Sequence, residues 1–323
     1  MIDCLYINKL KFEKSNLLLL KKNFKLTEAG NIDRCPKNKI NNIKILILPM
    51  DKFYGEKLLE KFNSLKIIAS PTTGDIHIDK KYLKRKKIKF LNLKKNSPLM
   101  RNITATSDLV FAFIFELTRK VLNSSFNFHY KKLNFEKKFI AKNSLKDLSV
   151  GIIGLGRIGN HVAERSKALG MKVFYYDPEV INKKYTKVSN LIRLFKESNI
   201  ITLHLHYEEY LKNIINLKLF KIQKKPSFFI NTSRGEFVNE ESLIYSVKKN
   251  ILCGFALDVI KGSFMFNNKQ KKNKLLNFYG KNFSKNIIIT PKVAGSTSEA
   301  REMTENYLIN NIIKNKKDLR REL

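Results

Sequence analysis

The sequence predicts an α/β protein of two doubly wound domains, each a parallel sheet covered by helices on both faces. Three observations predict it. Short apolar, strand-like runs alternate with amphipathic helical segments along the chain, the pattern of parallel strands joined by helical crossovers. One such run, 150–153, flows into Gly154-x-Gly156-x-x-Gly159 and then into a helical segment. The final segment, 296–314, has helical period and no strand after it, so its apolar face needs an element already made.

The elements follow in order. In the N-terminal part, strands are expected near 4–7, 43–48, 65–69 and 88–91, with helical patterns between them. Residues 107–122 read as a long, strongly apolar helix, and the lysine-rich stretch 123–142, which lacks a period, as a connection. A second series places strands near 150–153, 173–176, 200–204, 228–231, 254–257 and 287–289, the six strands of a full dinucleotide-binding sheet. The last helix is expected to return to the N-terminal sheet. One domain is then discontinuous, 1–102 plus 293–323, and the other spans 103–292. No internal repeat has a fixed period.

Composition narrows the function. The chain has 323 residues, 43% of them hydrophobic, as suits a globular protein with a substantial core. No apolar run approaches the ~18–20 residues of a membrane span, and no secretory leader is visible, so a cytoplasmic protein is expected. Cys4, Cys35 and Cys253 fit no metal or redox spacing and read as packing residues. The formal charge of +35 raises nucleic acid as a partner. Yet the lysines run from end to end among asparagine and isoleucine, as compositional drift produces. Their densest clusters, 80–89, 269–274 and 314–321, lack the interleaved aromatics of a base-stacking platform. Nucleic acid and membrane are therefore not the expected partners.

The glycine segment carries specific chemistry. Gly154 permits a tight turn, Gly156 lets a pyrophosphate approach bare backbone, and Gly159 lets the next helix pack on the strand. The helix start at Arg157 and Ile158 turns unpaired N–H groups toward the phosphates. A second apolar run, Met-Lys-Val-Phe-Tyr-Tyr, ends at Asp177, where a carboxylate accepts ribose hydroxyls and repels a 2′-phosphate, favouring NAD over NADP.

Three further segments end strands on the ligand-binding side: INTSRGEFVNEESL from Ile230, GFALDV from Gly254 and IIITPKVAGST from Ile287. With SPTTGDIHID from Ser70 and SDLVFAFIFELTRKV from Ser107, their order and spacing resemble the NAD-dependent D-isomer-specific 2-hydroxyacid dehydrogenases (phosphoglycerate dehydrogenase-like) over most of the chain. The resemblance implies two Rossmann-like domains with the active-site cleft between them. It also implies NAD as cofactor, a small 2-hydroxy or 2-oxo acid as substrate, and a homodimer to which the helix from Ser107 contributes. Arg234 matches the family arginine that clamps the substrate carboxylate. Thr73 and Gly74 match the backbone of the substrate loop, and Thr232 and Asp258 match cofactor-binding positions, Asp258 near the nicotinamide amide. His77 matches a position in the substrate loop and His204 one near the adenosine side.

Two family positions depart. The glutamate five residues beyond Asp258 is Ser263, and no Asp or Glu occurs from Val259 to Ser298. The family histidine is Lys292, and no histidine follows His206. Lysine near pKa ~10.4 becomes a useful acid when burial and a neighbouring cation lower it toward ~7–8, and Arg234 supplies that cation. Lys292 is thus the expected acid/base group. The alternatives are a weakened or inactive relative that binds NAD(H) as a sensor or partner-binding module, and, on charge alone, a nucleic-acid-associated protein.

Overall fold

The computed structural model describes residues 1–93, 98–131, 143–262, 273–281 and 286–321. The chain forms two compact units, Met1–Ile103 with Ser296–Leu323, and Thr104–Gly295. Residues 293–295 thus stay in the unit of Asp258, which Val293 and Ala294 bond.

In the first unit, β1 (Asp3–Ile7), β2 (Lys25–Ala29), β3 (Ile45–Ile47), β4 (Ile67–Ala69) and β5 (Lys89–Leu91) form a parallel sheet in the order β2-β1-β3-β4-β5. Of the interior strands, β3 and β4 are wholly apolar and buried, and β1 buries Cys4 to Ile7, because helices cover both faces. The strand β2 was not expected from sequence. It lies at the edge and exposes Lys25 and Glu28, charges that protect an edge from pairing while hiding the strand signal. The helix Ser298–Arg321 returns to this sheet, burying Leu308, Ile309 and Ile312 against Ile2, Cys4, Tyr6, Leu20 and Phe24. Each such side chain contributes about 1.5–3 kcal/mol. The nearly inaccessible Glu305 fixes its register, accepting from the Glu13 N–H at 2.8 Å and Asn16 Nδ2 at 3.1 Å.

The second unit is a seven-stranded parallel sheet. Its strands are β6 (Ser149–Ile153), β7 (Lys172–Tyr176), β8 (Thr186–Lys187), β9 (Ile200–Leu203), β10 (Phe228–Asn231), β11 (Gly254–Leu257) and β12 (Ile287–Ile289), ordered β12-β11-β10-β9-β6-β7-β8. Side chains alternate between two cores: Val150, Ile152, Phe228, Ile230 and Ala256 on one face, Ile153, Phe229, Phe255 and Leu257 on the other. The exposed two-residue edge strand β8 makes seven where six were expected; it is too short for an apolar signature.

Helix ends also corrected the reading. The 107–122 segment is a helix over Ala105–Arg119 that stops at Lys120, whose φ of 54° is left-handed. A second helix follows over Val121–Lys131, within the stretch expected to be a connection; residues 132–142 lie outside the described residues. Asparagine, prominent in the composition, caps helices: Asn190, Asn216, Asn239 and Asn273 each accept first-turn N–H groups. Cys4 and Cys35 are buried, but Cys253 is exposed and packs no core.

Candidate active site

Strand register gathers the site. Tyr176, Ile153, Leu203, Asn231, Leu257 and Ile289 lie side by side across β7, β6, β9, β10, β11 and β12. The residues that follow them, Asp177, Gly154, His204, Thr232, Asp258 and Thr290, therefore leave the sheet at one level. Strand order reverses between β6 and β9, and the crevice at such a switch point is where open α/β sheets bind ligands.

The three glycines do separate jobs. Gly154 has φ of 89°, and a Cβ there would lie 2.7 Å from the His204 carbonyl oxygen. A Cβ at Gly159 would lie 2.1 Å from the Gly154 carbonyl oxygen. At Gly156 a Cβ would meet nothing within 4 Å, so no protein packing demands that glycine. Gly156 caps the helix Arg157–Ala168 without a side-chain cap, and no acid occupies the first turn. The N–H groups of a helix's first turn have no intrahelical partners. Asp177 shapes the same loop: Oδ2 accepts from Leu155 N at 2.7 Å, and Oδ1 from Glu179 N and Val180 N at 2.9 Å each. Each carboxylate oxygen has two lone pairs, so Oδ2 keeps capacity for a ribose hydroxyl. Arg157 and Ile158 are half-buried, and Ile158 packs on the core beneath. An open approach at Gly156, a helix N-terminus and a held carboxylate fit a dinucleotide. His204 lies beside this loop, its Nε2 2.9 Å from Thr202 Oγ1. Burial pushes its pKa down to about 3, which leaves the imidazole neutral rather than an imidazolium acid.

Arg234 is built by the turn after β10. Asn231, fully buried, accepts from Ser233 N at 2.9 Å and donates to the Arg234 carbonyl at 2.8 Å. Arg234 Nη1 donates to the Ser233 carbonyl at 2.8 Å. Its Nε is buried without a partner among the described residues, as is Thr232 Oγ1. Two unanswered polar groups within three residues mark a place prepared for a ligand. Burial lowers the guanidinium pKa, and Glu236 opposes that shift. Gly235 is required by packing, since a Cβ there would lie 2.0 Å from the Ile260 carbonyl carbon.

Lys292 sits on the turn after β12 in left-handed conformation, φ 59°, at a cost of about 1–2 kcal/mol for a residue with a Cβ. Asp258 enforces that turn. Its carbonyl accepts the Lys292 N–H at 2.9 Å, and its buried carboxylate accepts from Thr290 Oγ1 at 2.6 Å, Val293 N at 2.8 Å and Ala294 N at 2.9 Å. Burial and then Arg234 push the Lys292 pKa down to about 8, while Asp258 and Glu236 act to raise it. The ammonium is then mostly protonated at neutral pH and close to giving its proton up. Ser263 lies outside the described residues.

Thr73 and Gly74 are half-buried in the turn that follows β4 in the first unit. Thr72 Oγ1 donates to the Gly74 carbonyl at 2.8 Å. His77, fully buried, braces the turn through Nε2, 3.2 Å from Ser70 Oγ. Sequence reading missed Asn231, Gly235, Glu236 and Thr290. Asn-Thr-Ser-Arg-Gly-Glu carried the first three in plain view, but which side chain shapes the turn and which faces the ligand depends on backbone contacts between separate strand ends.

Residues 111–294, more than half of the chain, match the family described as D-isomer specific 2-hydroxyacid dehydrogenase, NAD binding domain. The glyoxylate reductase of Thermococcus litoralis is 28% identical over 284 residues, covering 85% of this chain and 81% of the relative. The fold is similar to that of a D-lactate dehydrogenase from Aquifex aeolicus solved with NAD and lactic acid, with a TM-score of 0.82, 25% identity, and coverage of 98% of this chain and 96% of the other. An acyclic imino acid reductase solved with NADPH and D-Arg matches with a TM-score of 0.79 and 26% identity, covering 96% and 95%.

Proposed function

Because the chain belongs to the D-isomer specific 2-hydroxyacid dehydrogenases, and so is an NAD-dependent oxidoreductase, we propose that it reduces a small 2-oxo acid with Arg234 as carboxylate clamp and Lys292 as proton donor. Bound NADH supplies the hydride. Arg234 presents a planar fork to the substrate carboxylate, a pairing that fixes orientation as well as charge. Lys292 Nζ gives a proton to the oxygen on which negative charge develops, and in the reverse direction the neutral amine takes it back. Asp258 holds the Lys292 turn. Thr232 and the first-turn N–H groups after Gly156 hold the cofactor, with Asp177 on its ribose.

The observation that carries this reading is a cation whose buried Nε has no partner among the described residues and a lysine whose proton that cation loosens, on the loops after β10 and β12, the two strands that flank β11 in register. A purely sensory role explains neither. The test is NADH oxidation by the purified protein across a panel of small 2-oxo acids, with Arg234→Ala as control. Turnover that vanishes in the control supports the reading; NADH binding with no consumption of any oxoacid contradicts it. The match to an imino acid reductase favours one second reading, a 2-imino acid substrate. An iminium arrives protonated and needs no acid, so adding ammonia to the same assay separates the two.

We also propose a cytoplasmic homodimer. Among the described residues no helix is long and apolar enough to cross a membrane. The consecutive helices Ala105–Arg119 and Val121–Lys131 leave Phe115, Val121, Leu122 and Phe128 exposed, an apolar surface suited to a second copy. Light scattering on the purified chain decides the oligomeric state.

A further inference from the structure

A turn that receives phosphates must present N–H groups and dispose of its carbonyl oxygens elsewhere, because like the phosphates they carry negative charge. The turn after β6 has two carbonyls to dispose of, at Leu155 and Gly156. Gly156 caps the helix Arg157–Ala168, and its carbonyl accepts the Asn160 N–H at 2.8 Å in the ordinary helical way. Leu155 lies one residue before that cap, so its carbonyl stands outside the helix's own ladder. The Asn160 side chain answers it. Nδ2 donates to the Leu155 carbonyl at 2.7 Å and to the Gly156 carbonyl at 3.1 Å.

The Asn160 amide is oriented in turn. Its Oδ1 accepts from Asn182 Nδ2 at 3.3 Å. Asn182 is fixed the same way round, because its Oδ1 accepts the Lys184 N–H at 3.0 Å and a backbone N–H only donates. The Asn182 backbone is anchored to the fully buried Tyr175, whose hydroxyl accepts the Asn182 N–H at 2.8 Å. Tyr175 lies on β7 just before Asp177, and Asp177 Oδ2 takes the Leu155 N–H at 2.7 Å. A circuit closes: Leu155 to Asp177, along the chain to Asn182, across to Asn160 and back to Leu155. Both backbone groups of Leu155 are thereby committed inside the protein, the N–H to Asp177 and the carbonyl to Asn160.

We propose that Asn160 is a positioning residue for the dinucleotide. Oriented by Asn182, its amide keeps the Leu155 and Gly156 carbonyls bonded within the protein, so that the turn offers an anion N–H groups instead of carbonyl oxygens. It also ties that turn to the segment of the ribose-binding carboxylate. The inference rests on the reading that this turn receives the cofactor's pyrophosphate. Nothing in the glycine spacing singles out Asn160, since Asn182, which orients it, lies 22 residues on.

The experiment is NADH binding by fluorescence titration on the full chain, which needs no turnover, with melting of the cofactor-free chain recorded beside each titration. Asn160→Ala removes the amide, Asn160→Gln keeps it on a longer stem, and Asn182→Ala removes only the group that orients it. In Asn160→Ala an acceptor is left unanswered, and NADH affinity is expected to fall about tenfold. It is expected to recover at least in part in Asn160→Gln and to fall about threefold in Asn182→Ala. The double variant is expected to bind about tenfold more weakly than wild type rather than about thirtyfold, because Asn182 acts through Asn160. A merely structural role changes affinity only through the folded fraction, so well below the melting transition it leaves NADH affinity unmoved. Wild-type affinity in a folded Asn160→Ala therefore overturns the proposal, and so does a double variant whose losses multiply to about thirtyfold. If Asn160→Ala does not fold, the loss in Asn182→Ala decides. Gly156→Ala separates the two failures: normal affinity there defeats the reading of the turn itself, whereas loss there with normal affinity in Asn160→Ala defeats only the part given to Asn160.

Discussion

Asp258 grips Lys292 by its backbone: the Lys292 N–H donates to the Asp258 carbonyl at 2.9 Å, while the Asp258 carboxylate gathers Thr290 Oγ1 and the N–H groups of Val293 and Ala294. The aspartate at the end of β11 thus sets the conformation of the turn after β12, and the strained φ of Lys292 persists because the turn around it is over-determined.

Asp258→Asn tests that grip. An amide can accept on one side only, so at least one of the three donors to the carboxylate loses its partner. Hydrogen bonds to a charged group contribute about 1.5–3 kcal/mol, and the expected cost of about 2 kcal/mol lowers Tm by about 4–8 °C for a unit of this size. Turnover is expected to fall further than NADH affinity, because the displaced element is the turn of Lys292. Thermal unfolding with NADH fluorescence titration checks both.

Gly156→Ala and Gly159→Ala separate binding from folding. A Cβ at Gly156 meets nothing within 4 Å among the described residues, whereas one at Gly159 collides with the Gly154 carbonyl. The first variant is expected to fold with wild-type Tm and to lose most of its NADH affinity, since its methyl group occupies the pyrophosphate approach. The second loses Tm as well. NADH titration beside a melting curve distinguishes them.

On the proposed reading, Arg234 acts through shape and through charge. Arg234→Lys and Arg234→Ala are both expected to lose about a hundredfold or more in kcat/KM for the oxoacid, because a point charge does not replace a bidentate fork. They differ in pH dependence. Arg234 lowers the Lys292 pKa, so removing the cation in Arg234→Ala moves the falling limb of the profile to higher pH. Arg234→Lys leaves it near 8.

Much of the fold was legible because it rests on local pattern. Predominantly apolar strands such as Ile200–Leu203 and Phe228–Asn231 are buried at every position and announce themselves, and the glycine turn needs each of its glycines for a reason visible in spacing alone. The edge strands β2 and β8 were not legible, one because exposed charges break its apolar run and the other because two residues carry no period. In the site, Arg234 and Lys292 were legible from the flanking motifs. The engagement of Asp258 with the Lys292 turn was not, since it joins residues more than thirty apart through backbone N–H groups that any sequence could supply. Glu236 was passed over for a similar reason. Its carboxylate is placed where the Arg234 turn meets Ile260 and Gly262, a contact that one strand's sequence does not encode.

The most direct test of the central claim is kcat/KM for 2-oxo acid reduction as a function of pH in the wild type and Lys292→Ala. The donor must carry its proton, so wild-type activity is expected to be level below the Lys292 pKa of about 8 and to fall about tenfold per pH unit above it. Lys292→Ala is expected to lose about 10²- to 10⁴-fold and, with it, that limb. A Lys292→Ala enzyme that keeps the wild-type rate and the same falling limb would show that the proton comes from elsewhere.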